Sequence, residues 1–192
     1  FTHWPAVATF WKHGASSRGL SAGWTRGSTL SNEMPLAAGG LAGGGIAAAN
    51  ALEGNRRRLD LGVLPDVIFT DPQAATVGLT EAQAVERGYD VKTTTLPLAY
   101  VPRALAARDT RGLIKLVADG SSNLLLGAHV LAAEAGEATQ TAALAVPMGL
   151  RYGFSVDDLR EMLFPYLTQV EGLKLAAQTF EKDVAQLSCC AG

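Results

Sequence analysis

Cysteine is almost missing from this sequence: two in 192 residues, Cys189 and Cys190, side by side at the end of the chain. Neighbouring cysteines cannot staple distant segments, so a disulfide framework is excluded, and we read the protein as one of a reducing, cytoplasmic setting. A surplus of charge is missing too. Net charge is −2, and basic residues are scattered apart from Arg56, Arg57 and Arg58. No phosphate-tracking surface is visible, and nucleic acid is not expected as a partner. Acidic residues are absent before Glu33, and long apolar runs are absent throughout. The nearest approach to a membrane span, Met34–Leu52, is built of Gly and Ala with a Pro and an Asn, so no membrane partner is expected. The start lacks a basic stretch, apolar run and cleavage site in series, so no secretory signal is read.

What is present begins unevenly. Residues 1–35 hold all three Trp and two of the three His, with no sustained period of 2 or 3.6, and are read as an unassigned leader, disordered or foreign. His3 and His13 are too far apart for a trusted ligand spacing and are read as solvated. The chain opens on Phe1 instead of Met, and we read it as a fragment of a longer protein. Residues 36–62 are read as a helix and linker left from a preceding domain, with a short Ala-rich helix over Gly45–Leu52 closed by Gly54. Gly43, Gly45 and Ala48 match the spacing G-x-G-x-x-A. Without a strand before them they are read as a Gly-rich approach to that helix, not a nucleotide site.

From residue 63 to 187 the pattern is that of one folded domain. Val67–Thr70, Ala75–Gly78 and the Thr-rich Val91–Leu96 read as strands. Gly112–Ala118 and Leu124–Ala132 flank a Gly-containing loop as an antiparallel hairpin. Thr80 and Gln83 have the spacing of a capping box, and Gly88 should stop the helix that follows. His129, inside the second hairpin strand, is read as a half-buried sheet residue. Glu134–Val146 should be a helix that Pro147 ends or kinks. Ser155 should cap a helix through Leu163, with Asp157 and Asp158 in its first turn. Phe164-Pro165 breaks it, and Leu173, Ala177, Phe180, Val184 and Leu187 then mark one buried stripe along a final helix. The expected fold class is α+β, an antiparallel sheet with helices packed on one face.

Two constellations carry chemistry. Cys189 and Cys190, on the segment 188–192 read as a mobile tail, would be strained if bridged to each other, so they are read as free thiols. Thiolates are nucleophiles and soft ligands, and two of them suit a linear, two-coordinate soft cation better than zinc. Thiolate exchange would let such a pair pass a metal onward; the alternative is two incidental cysteines. The other constellation is Tyr166 to Glu171, between a helix stop and the last helix. A phenol near a carboxylate there could donate, accept or ligate, or Tyr166 could be a buried residue with a satisfied hydroxyl.

The segments LPDVIFTDPQAATVGLTEAQA, YVPRALAARDTRGLIKLVADG, LLGAHVLAAEAGE and FPYLTQVEGLKLAAQTFEKDVAQLSCCAG resemble the C-terminal interface domain of the flavin-dependent pyridine-nucleotide disulfide oxidoreductases. Within that family they are most similar to its mercury-reducing branch. The similarity runs from about Gly43 to Gly192. It implies a homodimer that uses FAD and NADPH in the full-length enzyme to reduce Hg(II), delivered as thiolate complexes, to Hg(0). Cys189 and Cys190 would be the metal ligands, and Tyr166 and Glu171 the catalytic residues. Relatives that reduce disulfides carry a His in an H-P-T-x-x-E motif. Tyr166 stands at that His position, with Thr168 and Glu171 retained, and a phenol titrating near 10 is a poor proton shuttle at neutral pH. That replacement argues against a dihydrolipoamide dehydrogenase-like domain. No cysteine precedes Cys189, so a C-x-x-x-x-C redox pair is absent, and no cofactor is expected to be fully bound by this segment, nor turnover by it alone. The remaining alternative is a dimerisation or metal-binding module without catalysis.

Overall fold

The computed structural model describes residues 38–58 and 64–187. The chain divides into two compact units, Phe1–Leu59 and Asp60–Gly192. In the first, helix α1 runs Ala38–Glu53. It starts well before Gly45, so the expected approach is itself helix: Gly44 and Gly45 stand in open space, where an Ala-rich neighbourhood carries the propensity. Gly54, at φ +90°, ends it as expected. The Asn50 side chain then secures the exit, accepting from the Arg56 and Arg57 N–H groups and donating to the Arg57 carbonyl.

The second unit is built on a five-stranded antiparallel sheet in the order β1-β2-β5-β4-β3. The strands are β1 Asp66–Ile68, β2 Gln73–Gly78, β3 Val91–Pro97, β4 Leu113–Asp119 and β5 Leu125–Ala132. The β4–β5 hairpin lies in register from Leu113 opposite Leu131, with a shift at Val117 and Ala118. β5 is buried at every position, with β2 on one side and β4 on the other. Between β2 and β3, α2 (Glu81–Glu86) starts on the Thr80–Gln83 capping box read from the sequence. Gly88, at φ +82°, follows it.

Helices α3 (Pro102–Ala107), α4 (Ala135–Tyr152), α5 (Val156–Glu161) and α6 (Glu171–Gln178) complete the domain. Leu96, Leu98, Ile114, Leu116, Leu125, Val130 and Leu173 form one core with Ala142, Val146 and Leu159, drawing on strands and helices alike. Each of the Leu, Ile and Val side chains among them gains roughly 1.5–3 kcal/mol on burial, enough to fix which face of the sheet is covered. Val117, whose side chain alternates with those of Leu116 and Ala118, belongs instead to a smaller cluster with Leu79, Ala84 and Leu126 beside α2. The architecture is α+β, as the residue pattern implied.

Within this unit α5 stops at Glu161, two residues short of the expected Leu163, and two other helices depart further from expectation. Helix α4 continues through Pro147 to Tyr152. The lost N–H removes one hydrogen bond, a cost of about 3 kcal/mol, but burial on both sides of the proline offsets it. Val146 is fully buried, and buried Gly149 lies so close to the backbone that an added Cβ would meet the carbonyls of Leu125 and Phe154 at 2.9 Å. The final helix, conversely, stops at Gln178. The Thr179 hydroxyl donates to the Ala176 carbonyl, and the Thr179, Phe180 and Glu181 N–H groups each donate to the carbonyl three residues back, tightening the turn into 3₁₀ geometry. Phe180, Val184 and Leu187 still pack against the core, so the stripe marked burial but not helix.

Candidate functional site: a held tyrosine turn

The Tyr166 segment connects α5 and α6, and both its roots are fixed. Ser155 caps α5 in a box with Asp158, whose carboxyl is held below the usual range by the Ser155 N–H and hydroxyl. Arg160, near the end of α5, pairs with Asp157 at 3.0 Å and also with Glu181 beyond α6. Asn123, in the hairpin loop, donates to Asp157 at 2.8 Å and accepts from Lys92. Lys92 in turn lies over the Phe180 ring, 5.2 Å from its centre.

Between these roots, residues 165–168 form a tight turn. The Thr168 hydroxyl donates to the Pro165 carbonyl at 2.8 Å and accepts from the Glu171 N–H at 3.3 Å. Leu167 adopts the left-handed conformation, φ +64°, and its N–H donates to Glu171 Oε2 at 3.2 Å. The result separates the two candidate residues. Tyr166 is 61% exposed, whereas Glu171 is buried at the start of α6. Among the described residues the carboxylate's hydrogen-bond partner is the Leu167 N–H and not the phenol, and the buried-tyrosine reading does not hold. Met162, Leu163 and Leu167 are exposed beside it. Gln169 is buried, with its amide nitrogen unsatisfied among the described residues.

His129 is sealed in the sheet, more deeply than half-buried. Its Nε2 lies 3.1 Å from the Leu79 carbonyl, which can only accept, so Nε2 carries the proton and the Thr76 hydroxyl donates to Nδ1. Burial, with Lys115 nearby, lowers its pKa from the ordinary 6.5 to about 4. It is a neutral structural group. Gly43, Gly45 and Ala48 lie within α1 instead of in a strand-to-helix turn, so the described residues do not fit a flavin or nicotinamide nucleotide. Among them no three His, Cys, Asp or Glu side chains converge as a metal site. Cys189 and Cys190, with His3 and His13, lie outside the described residues.

Sequence reasoning passed over α3, although Pro102 at its first position was a usable signal. It also passed over the left-handed state of Leu167, for which a leucine gives none.

An antiparallel sheet with its main helical layer on one face, a smaller cluster beside α2 on the other and a tethered, exposed turn is not the strand-to-helix phosphate cradle of a nucleotide-binding fold. Residues 64–177 match the dimerisation domain of the pyridine nucleotide-disulphide oxidoreductases, and the chain belongs to that family. It is similar to the mercuric reductase of Bacillus cereus, 56% identical over 149 residues, which are 78% of this chain and 23% of that protein. The mercuric reductase of Shigella flexneri is 55% identical over 151 residues, 79% of this chain and 26% of that one. The chain thus spans about a quarter of the length of these curated relatives. Among solved structures, the Cu(II) complex of the HOCl-induced flavoprotein disulfide reductase RclA from Escherichia coli superposes with a TM-score of 0.64 at 31% identity, covering 73% of this chain and 31% of that one. LpdA from Mycobacterium tuberculosis gives 0.67 at 25% identity, over 79% and 32%.

Proposed function

We propose that this chain is the C-terminal interface portion of a cytoplasmic mercury(II) reductase, acting as a homodimer. In this reading residues 63–187 are the dimerisation domain, 36–62 the remnant of the preceding one, and 188–192 the dithiol tail. Cys189 and Cys190 take Hg(II) from its thiolate complexes by ligand exchange, each incoming thiolate displacing one outgoing thiolate. Tyr166, presented by the held turn, and Glu171, which holds that turn through the Leu167 N–H, are the catalytic-site residues that this chain contributes. FAD and NADPH, held by parts of a longer enzyme, would supply the two electrons that take Hg(II) to Hg(0). The described residues do not fit those nucleotides.

The observation that carries this reading is the exposed, rigidly rooted phenol at a position where a proton-shuttling imidazole would serve disulfide chemistry. A two-electron reduction of a metal ion needs no proton delivered to a leaving thiol, so a phenol is suited to that task. Mercuric reductases at 55–56% identity supply the substrate class.

The test is Hg(II) affinity of the chain against that of the Cys189→Ala/Cys190→Ala variant, with sedimentation to give the oligomeric state. A large loss of affinity on a dimeric background is expected. Unchanged affinity would favour a dimerisation module with incidental cysteines. Mixed with NADPH, FAD and Hg(II), this chain should show no sustained NADPH oxidation.

A further inference from the structure

We infer that Glu171 is a positioning residue: its buried carboxylate holds the Leu167 N–H, keeps that residue left-handed, and so sets where Tyr166 points. The importance given to Tyr166 rests on the function proposed above, but the contacts do not.

The residues Thr168-Gln169-Val170-Glu171 have the T-x-x-E spacing of a capping box. In a standard box the acid would reach back to the N–H of the threonine itself. Half of that pattern is present, since Thr168 accepts from the Glu171 N–H. The other half is displaced by one residue, because the carboxylate takes the Leu167 N–H instead. A cap that served only the helix would have no need of that displacement. It matters because Leu167 is the neighbour of Tyr166, and a branched L-residue at φ +64° is disfavoured roughly five- to thirtyfold against the right-handed state. Something must hold it there. The Thr168 hydroxyl closes the turn on Pro165, but it does not touch the Leu167 amide. The carboxylate does, and as a buried charge it requires such donors in return. Its place in the first turn of α6 also puts it at the positive end of the helix, where Val170 supplies no side-chain cap. The acid therefore acts on the phenol through one backbone amide and not by direct contact.

The experiment uses the full 192-residue chain labelled with ¹⁵N-leucine and ¹³C-tyrosine. Resonances of Leu167 and Tyr166 are identified by their loss in Leu167→Val and Tyr166→Phe. Glu171→Ala should speed exchange of the Leu167 amide roughly tenfold to a hundredfold, the loss of a hydrogen bond to a charged acceptor. It should also move the Tyr166 ring signal to that of a freely averaging tyrosine. Glu171→Gln, which keeps an oxygen able to accept the same N–H, should leave the ring signal in place. With Leu167→Gly, where the left-handed state carries no penalty, the same Glu171→Ala change should shift Tyr166 far less. An unchanged Leu167 exchange rate in Glu171→Ala overturns the inference, as does a Tyr166 signal displaced equally by Gln and Ala. Should Glu171→Ala fail to fold, Glu171→Gln alone decides: a retained ring signal supports the inference and a displaced one overturns it. None of these readings uses Hg(II), so their failure leaves the mercury reading standing, and unchanged metal affinity in the cysteine variant leaves these standing.

Discussion

Strand β5 and the segment from Met162 to Val170 are similarly apolar, yet β5 is buried at all 8 positions while Leu163 is 92% exposed. The backbone makes the difference. β5 satisfies its amides and carbonyls with β2 and β4, so its side chains are carried inward on both faces. In the 162–170 segment side chains take the place of a neighbouring strand at two points, Thr168 at the Pro165 carbonyl and Glu171 at the Leu167 N–H, so the turn is held without turning its apolar groups inward. Exposed apolar groups held by a rigid scaffold mark a surface meant to be covered by something else.

The contrast breaks most sharply at Gly127. A Cβ there would lie 2.1 Å from the Leu79 carbonyl oxygen, which is backbone and cannot swing aside. Gly127→Ala should cost about 3 kcal/mol or more, read as a lower urea midpoint by circular dichroism. Nearly as large is the effect of acid on β5. His129 is neutral when folded, with a pKa near 4, but takes a proton near 6.5 once unfolded. The unfolded state therefore binds more protons between those values, so stability is full above pH 6.5 and falls as pH drops toward 4, by about 3 kcal/mol. Urea midpoints at pH 7, 5.5 and 4.5 should trace that decline, and His129→Gln should flatten it. The smallest effect is on the other side of the comparison. Leu163→Ser should change the stability of the folded chain by less than about 0.5 kcal/mol, while weakening self-association in sedimentation. A large stability loss would mean that Leu163 is packed within the chain.

Much of this fold was legible because local chemistry agreed with the final packing. Thr80 with Gln83, Ser155 as the cap of α5, and the glycines at 54 and 88 do in the structure what the sequence announced, and the box that Asp158 completes with Ser155 is seen only in the fold. Legibility failed where tertiary contacts overrode local rules. Pro147 reads as an end or a kink, and the helix does not end there, since Val146 and Gly149 are buried on either side of it. Phe180, Val184 and Leu187 kept the period of a helix that Thr179 had already closed. At the candidate site, residue types pointed to Tyr166 and Glu171 without revealing their geometry. An aromatic is ordinarily read inward, and nothing in the letters L-T-Q-V-E says that the carboxylate passes over Thr168 to reach Leu167.

The rung missing at Pro147 makes α4 a helix in two lengths. The first is clamped to the sheet side through Ala138, Ala142 and Val146, while the second is joined to it without that rung and is seated through Gly149 against the Leu125 and Phe154 carbonyls. Under heat or denaturant α4 will therefore unzip from its C-terminal end, and the connection carrying Ser155 will loosen before the strands part.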